Sequence, residues 1–373
     1  MSEPLDLAAL ATDPAVRTIL VCGAGGVGKT TTAAALAVHA ANHGRRAVVL
    51  TIDPARRLAQ SLGLTHLGST PQPVPGVGAD GGRLDALMLD MKRTFDELVE
   101  AHATPEQAAQ VLANPFYQQV SGTFAGTQEY MAMEALGRLR EQADRDGTWD
   151  LVVVDTPPSR GALDFLDAPD RLGRLLDGPF LRMLTAPATR GGRLAARATA
   201  LVTSAMNTVV GSQLLTDAAT FATLMEQVFG GFRARATSTY ERLTAAGTAF
   251  LVVTTPEADA VREADFFVGR LTREGLPLAG VVVNKQMPPV TGSPGADELT
   301  AAARSEDREE DLTGRAAAVL LRLAAARAGV AGRHREVVEA LAARHPLVRV
   351  AVIAAGATDV HDVEGLADLL RSP

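Results

Sequence analysis

The eight residues Gly-Ala-Gly-Gly-Val-Gly-Lys-Thr, from Gly23 to Thr30, keep the spacing G-x-x-x-x-G-K-S/T. Each residue type in them suits phosphate. Glycines at 23, 25, 26 and 28, with Val27 between the last two, let backbone N–H groups close around an anion. Lys29 brings a cation to β- and γ-phosphate oxygens, and Thr30 offers a hydroxyl to Mg²⁺. Two carboxylates end apolar runs elsewhere: Asp155 closes "LVVVD" and Asp53 closes "AVVLTID". An acid at the first position would hold Mg²⁺ through water, as a Walker B aspartate does. An acid at the second would orient the water that attacks a γ-phosphoryl group. The simpler reading of each is an aspartate that caps the turn after a strand.

These groups need a scaffold that presents them at one edge, and the sequence contains one. Short β-branched runs recur at Thr18–Cys22, Ala47–Ile52, Leu84–Leu89, Leu151–Asp155, Phe250–Thr255, Gly280–Asn284 and Leu347–Ile353, with helical patterns between them. Strands apolar on both faces and separated by helices imply an α/β fold, a mostly parallel doubly wound sheet of the P-loop NTPase kind. In such sheets the ligand sits at the carboxyl ends of the strands, where the loop, Asp53 and Asp155 all fall. An Ala-rich helix follows the loop from Lys29 to about His43 and stops at Gly44.

Strand signals lapse from Lys92 to Asp146 and from Gly161 to about Ala245, which implies an all-helical subdomain built from two insertions. The expected division is therefore an ATPase core from residues 15–92, 149–160 and 246–371, with helical segments at 93–148 and 161–245. "STPQPVPGVGADGG" (Ser69–Gly82) reads as a Pro/Gly loop, and the charge run Ala296–Asp311 as a solvated, mobile one.

Composition narrows the function. The formal charge is −7, which argues against nucleic acid as a partner, since that binding needs basic surface. Cys22 is the only cysteine, so neither an internal disulfide nor a CxxC metal pair is available. The first residues carry acids where a secretory leader needs bases, and no membrane-spanning run is evident, so a cytoplasmic location is expected.

"GAGGVGKTTT", "TIDPARRLAQSLG" and "DTPPSRGALDFLDAP" together resemble the ArsA family, the arsenite-pump and tail-anchored-protein-targeting ATPases of the deviant Walker A class. The resemblance covers most of the chain. It implies a dimeric Mg²⁺-dependent ATPase whose subunits close on ATP and relay hydrolysis to the helical region. It places Asp53 as the switch I residue that activates water and Asp155 as the switch II residue near Mg²⁺. Thr31 falls on the α-phosphate side, Asn284 where adenine is read, and the loop Ala354–Asp359 over the base. "NKQM" begins like a guanine-reading motif but has Met287 in place of the aspartate, so ATP is the expected nucleotide.

One departure matters. The second loop residue in this class is a lysine that reaches the phosphates of the opposite subunit; here it is Ala24. Three accounts are open: a related partner chain carries the lysine, a nearby cation (Arg56, Arg57 or Arg160) substitutes, or hydrolysis is slow. The assembly is accordingly a homodimer, or a heterodimer with a related ATPase. A nucleotide-responsive chaperone or partner subunit that hydrolyses little is the alternative function. A MinD- or ParA-like positioning role is disfavoured by the acidic balance and by the lack of a basic amphipathic C-terminal helix. With one cysteine, zinc-bridged dimerisation and cysteine-based arsenite sensing are not expected.

Leu214, Ala218, Phe221, Met225, Val228 and Phe229 recur at helix spacing, as do Val202, Met206 and Val209. They form either plain core or a groove for an apolar client or membrane partner. "AGTQEY" keeps the Gly126 and Glu129 of a family segment that couples the helical region to the nucleotide, with Ala125 in place of its proline.

Overall fold

The computed structural model describes residues 3–53, 55–120, 127–157, 232–289, 292, 294–307 and 312–370. Eight strands form one sheet in the order β3-β4-β2-β5-β1-β6-β7-β8. They are β1 (Thr18–Gly23), β2 (Arg46–Thr51), β3 (Gln72–Pro73), β4 (Arg83–Met88), β5 (Leu151–Asp155), β6 (Thr248–Thr254), β7 (Leu278–Gln286) and β8 (Val350–Ala354). All pairings are parallel except that of β3 with β4. The seven strand runs read from the sequence are thus seven parallel strands of a doubly wound sheet.

Side-chain alternation along the strands splits the core into two layers. Leu20, Cys22, Val48, Leu50, Val152, Val154, Phe250 and Val252 face one side. There they meet α4 (Met91–His102), α7 (Thr127–Asp146) and α9 (Ala258–Arg273) through Phe95, Leu98, Met131, Leu136, Phe267 and Leu271. Ile19, Val21, Val49, Val153, Leu251 and Val253 face the other side. That face is covered by α1 (Leu7–Thr12), α2 (Lys29–Asn42) and α12 (Val363–Leu369). α2 owes its close approach to small residues: Ala33, Ala34, Ala35, Ala37, Ala40 and Ala41 are all fully buried.

The remaining described helices are α3 (Arg57–Ser61), α5 (Pro105–Ala113), α6 (Pro115–Val120), α8 (Phe232–Thr244), α10 (Ala296–Glu306) and α11 (Leu312–Arg344). Their starts follow ordinary capping chemistry. Thr104 and Gln107 form a reciprocal capping box on α5, and Asp6, Asp90 and Asp362 accept N–H bonds at the heads of α1, α4 and α12. Arg45, nearly buried at the opposite end of the sheet from the glycine loop, ties three segments together. Its Nε donates to Asp150 Oδ1 (2.8 Å), and its other nitrogens donate to the carbonyls of Ala11, Asp13, Val16 and Asp150.

Three readings from the sequence need correction. The charge run at 296–311 is not a mobile loop where it is described: residues Ala296–Glu306 form α10, because Leu299 and Ala303 recur four apart and are buried, while the charges take the solvent side. The last strand begins at Val350, not Leu347, and Leu347 is almost fully exposed at 94%. The loop Ser69–Gly82 contains β3, a two-residue antiparallel edge. Most of the 161–245 segment, with its apolar stripes, lies outside the described residues, as does Gly126; Glu129 is placed only as a residue of α7. Among the described residues no helix is long and apolar enough to cross a membrane.

Candidate functional site

The glycine loop joins β1 to α2 at the centre of the sheet, and its backbone explains its composition. Gly23, Gly26 and Gly28 have φ of 146°, 79° and 96°, a region that L side chains rarely enter. Sterics reinforce this at two of them. A Cβ on Gly23 would lie 2.1 Å from the Val253 carbonyl oxygen, and one on Gly28 would lie 2.1 Å from Asn284 Nδ2. Gly28 is also the N-cap of α2 and supplies no side-chain cap, so the first amides of α2 are left for another acceptor. Gly25, Gly26 and Val27 complete the turn; Gly25 and Gly26 are exposed while Val27 is buried beneath them.

Lys29, the first residue of α2, folds back so that Nζ donates to the Ala24 carbonyl at 2.7 Å. It is nearly buried, and loss of hydration pulls its pKa below the ordinary lysine value, with Asp155 opposing that shift. One bond to the loop leaves two N–H groups of the ammonium for a further acceptor. Thr30 and Thr31, the next residues of α2, are half-buried, and both line the same cleft as Lys29.

Asp155 ends β5, the neighbour of β1, and is completely buried. Its Oδ2 accepts the hydroxyls of Thr30 (2.8 Å) and Thr51 (2.9 Å). Its Oδ1, equally buried, has no hydrogen-bond partner among the described residues. Burial pushes its pKa up to about 6, and the two threonine bonds and Lys29 only partly offset this. An uncompensated carboxylate oxygen in a dry site costs free energy unless something polar meets it. A hydrated Mg²⁺ would do so. That ion keeps several waters and takes only one or two protein ligands besides phosphate oxygens. The donor set fits: Thr30 gives its proton to Asp155, so its oxygen lone pairs remain for a metal.

Asp53 follows β2, next to β5 in the sheet. Its backbone N–H donates to Thr51 Oγ1 (3.2 Å), and its Oδ1 accepts the Ala55 N–H (3.0 Å). The other oxygen stands 3.9 Å from Arg57 Nη1. Thr51 therefore touches both acids: its hydroxyl serves Asp155 and its oxygen receives the Asp53 amide.

Asn284 comes from the far side, near the end of β7. Its Nδ2 donates to the Val27 carbonyl (2.9 Å), and its Oδ1 accepts the Lys285 amide (2.9 Å). This places it against the loop, with one N–H and one lone pair left over for a ligand. Lys285 has φ of 57°, and its Nζ reaches the Gly26 carbonyl at 3.2 Å. Sequence reasoning missed Lys285 as a partner of the loop; the only signal for it was its place beside Asn284. It also missed Gln60, Ser61, His361 and Asp368. These line a cleft of about 670 Å³ together with Lys29, Thr30, Thr31, Asp53, Arg57, Asn284 and the 354–361 loop. No spacing rule links such distant residues.

Of the cations considered in place of a lysine at position 24, Arg57 lines this cleft, Arg56 is exposed outside the lining, and Arg160 lies outside the described residues. Cys22, the last interior residue of β1 before the loop, is buried, and burial raises its thiol to about 12, so it is held as a neutral thiol.

Comparison with known proteins adds a lineage to this geometry. The family model for anion-transporting ATPases matches residues 16–293. ATPase GET3B of Arabidopsis thaliana is 29% identical over 287 residues, covering 72% of this chain and 63% of that protein. ATPase GET3 of Kluyveromyces lactis is 29% identical over 200 residues, 49% of this chain and 56% of that protein. An uncharacterized protein of Streptomyces coelicolor is 35% identical over 170 residues, 43% of this chain and 39% of that protein. The chain spans less than two thirds of the length of each of these relatives.

Proposed function

The chain belongs to the ArsA family of anion-transporting ATPases, and from that premise we propose that it hydrolyses ATP with Mg²⁺ and couples the reaction to a helical region that holds a cargo or partner. The observation that carries the proposal is the Asp155 carboxylate, buried with one oxygen unmet among the described residues, beside the Lys29 ammonium and the Thr30 hydroxyl at the mouth of a glycine loop. Phosphates on the loop would be met by the open amides of α2 and by the free N–H groups of Lys29. Thr30 and, through water, Asp155 would hold Mg²⁺, which supplies charge neutralisation for the transferred phosphoryl group. Asp53, at the adjacent strand end, is the residue proposed to orient the attacking water, and its free oxygen is the one that faces Arg57. Asn284 and the loop Ala354–Asp359 bound the side of the cleft proposed for the adenine.

The proposed working unit is a dimer, either of this chain or with a related ATPase, in the cytoplasm. Its cargo class would be an anion, an apolar client segment or a membrane partner. A second reading, a subunit that binds ATP but turns it over slowly, is favoured by Ala24, whose methyl group cannot stabilise charge across a subunit boundary. ATP turnover titrated over protein concentration separates the two, with Asp53→Asn and Ala24→Lys variants alongside. Turnover that rises with concentration and disappears in Asp53→Asn supports an active self-assembled dimer. Binding without turnover until Ala24→Lys is introduced supports the slow subunit. Failure to bind nucleotide at all would sink both.

A further inference from the structure

With alanine at position 24, any second cation that meets a terminal phosphate beside Lys29 must come from elsewhere in the cleft. Lys29, Arg57 and Lys285 are the lysine and arginine residues that line it among the described residues. Lys285 Nζ is held on the Gly26 carbonyl, and Lys29 Nζ, folded onto the loop, is committed to the phosphates seated there. Arg57 is in a different condition. It is the first residue of α3, its side chain is 60% exposed, and its tie to Asp53 is a 3.9 Å ion pair, too long for a hydrogen bond. An exposed pair at that distance is weak. Arginine makes far stronger paired bonds with phosphate, because its planar fork matches two phosphate oxygens. The Asp53 oxygen that Arg57 faces is also the one not used by the Ala55 amide.

We propose that Arg57 is the residue that distinguishes a nucleoside triphosphate from a diphosphate: it rests on Asp53 when the cleft is empty and transfers to the γ-phosphate when ATP binds. The transfer does two things at once. It brings a cation in cis to the group where a lysine at position 24 would act in trans, and it releases the outer oxygen of Asp53 to accept a hydrogen bond from water. A diphosphate would leave the pair in place, since no phosphate then reaches far enough along the cleft to compete. This rests on the ATPase reading above.

The test is the affinity of the full chain for ADP and for the non-hydrolysable triphosphate analogue AMP-PNP, both with Mg²⁺, in wild type, Arg57→Ala and Arg57→Lys. Arg57→Ala is expected to weaken AMP-PNP about tenfold while ADP stays within about twofold, and Arg57→Lys to recover part of the loss. An unchanged AMP-PNP to ADP ratio, or equal weakening of both, overturns the proposal, the second because a merely structural role would affect both nucleotides alike. Wild type that binds neither nucleotide overturns the proposal and the ATPase reading together. Wild type that binds both but shows no turnover removes only the hydrolytic reading, because the ratio still reports Arg57.

Discussion

Asn284 donates its side-chain amide to the carbonyl of Val27, a residue 257 positions earlier, and so fastens the end of β7 to the glycine loop. The same nitrogen lies 2.1 Å from where a Cβ on Gly28 would be, so Gly28 and Asn284 are coupled by space as well as by a bond. Asn284→Ala is expected to cost about 1–2 kcal/mol of stability and to weaken nucleotide binding. Gly28→Ala should be worse, because it adds a clash and a left-handed backbone strain. The double variant should then be less destabilised than the sum, since removing the Asn284 amide relieves the clash. A double-mutant cycle read by chemical denaturation checks this, and strict additivity would count against the coupling.

Asp155 should make the empty protein prefer acid. Its carboxyl binds a proton more tightly when folded (about 6) than an ordinary aspartate does, so folding takes up a proton in the window between. Stability from this group is present in full below about pH 4 and is lost as pH rises through about 6, a change of ~3 kcal/mol. Asp155→Asn has no such titration, and its amide could suit the site's unmet position. The variant should therefore be more stable than wild type near neutral pH, and by less near pH 5, while showing less stabilisation on addition of Mg²⁺ and ATP than the proposed function predicts for wild type. Denaturation of both proteins at the two pH values measures it; a constant difference would refute the account.

Lys285 sits in the left-handed region at φ 57°, which costs a lysine about 1 kcal/mol that a glycine would not bear. Lys285→Gly should thus raise the melting temperature slightly or leave it unchanged, yet speed nucleotide release, because the Gly26 carbonyl loses its ammonium partner. Thermal melts and stopped-flow release of a fluorescent nucleotide read the two effects separately. A lowered melting temperature with unchanged release would show that the strain serves no such purpose.

Arg45 offers the opposite pattern. Arg45→Met would remove the side-chain donor of the Ala11 and Val16 carbonyls and of Asp150 Oδ1, while Asp150 Oδ2 keeps the Arg46 amide and the Asp13 carbonyl keeps the Val16 amide, at a cost of ~2 kcal/mol. Because Arg45 lies at the amino end of the sheet, nucleotide affinity should not change in the variant that remains folded. Calorimetric melting and nucleotide titration of the same preparation test the pair of outcomes.

The parallel strands were legible because each is a short, mostly apolar run, broken only by single polar residues such as Asp85 and Arg349, and the loop signature fixes its own flanks. Asp53 and Asp155 could be singled out for the same reason: each follows such a run directly. What the sequence hid depended on three-dimensional neighbours. The run 296–311 read as solvated because its nine charges outnumber its five apolar residues, yet Leu299 and Ala303, buried four apart, seat residues 296–306 as a helix. Leu347 looked like strand because it is apolar, although the sheet edge begins only at Val350. The tether from Lys285 to Gly26 joins segments 259 residues apart, which no local pattern encodes.

The position of β1 sets a timetable for synthesis. Thr18 lies opposite Val152 on one side and Thr248 on the other, so the strand that leads into the glycine loop gains its flanks only from chain made much later. At ordinary elongation rates the second flank is translated on the order of ten seconds or more after the first strand. Asn284, which latches the loop, comes later still. A nascent chain therefore carries an apolar strand and an alanine-lined helix before either strand that flanks β1 has been made. On the proposed function, ATP would engage only after that point and would draw the late folding steps to completion.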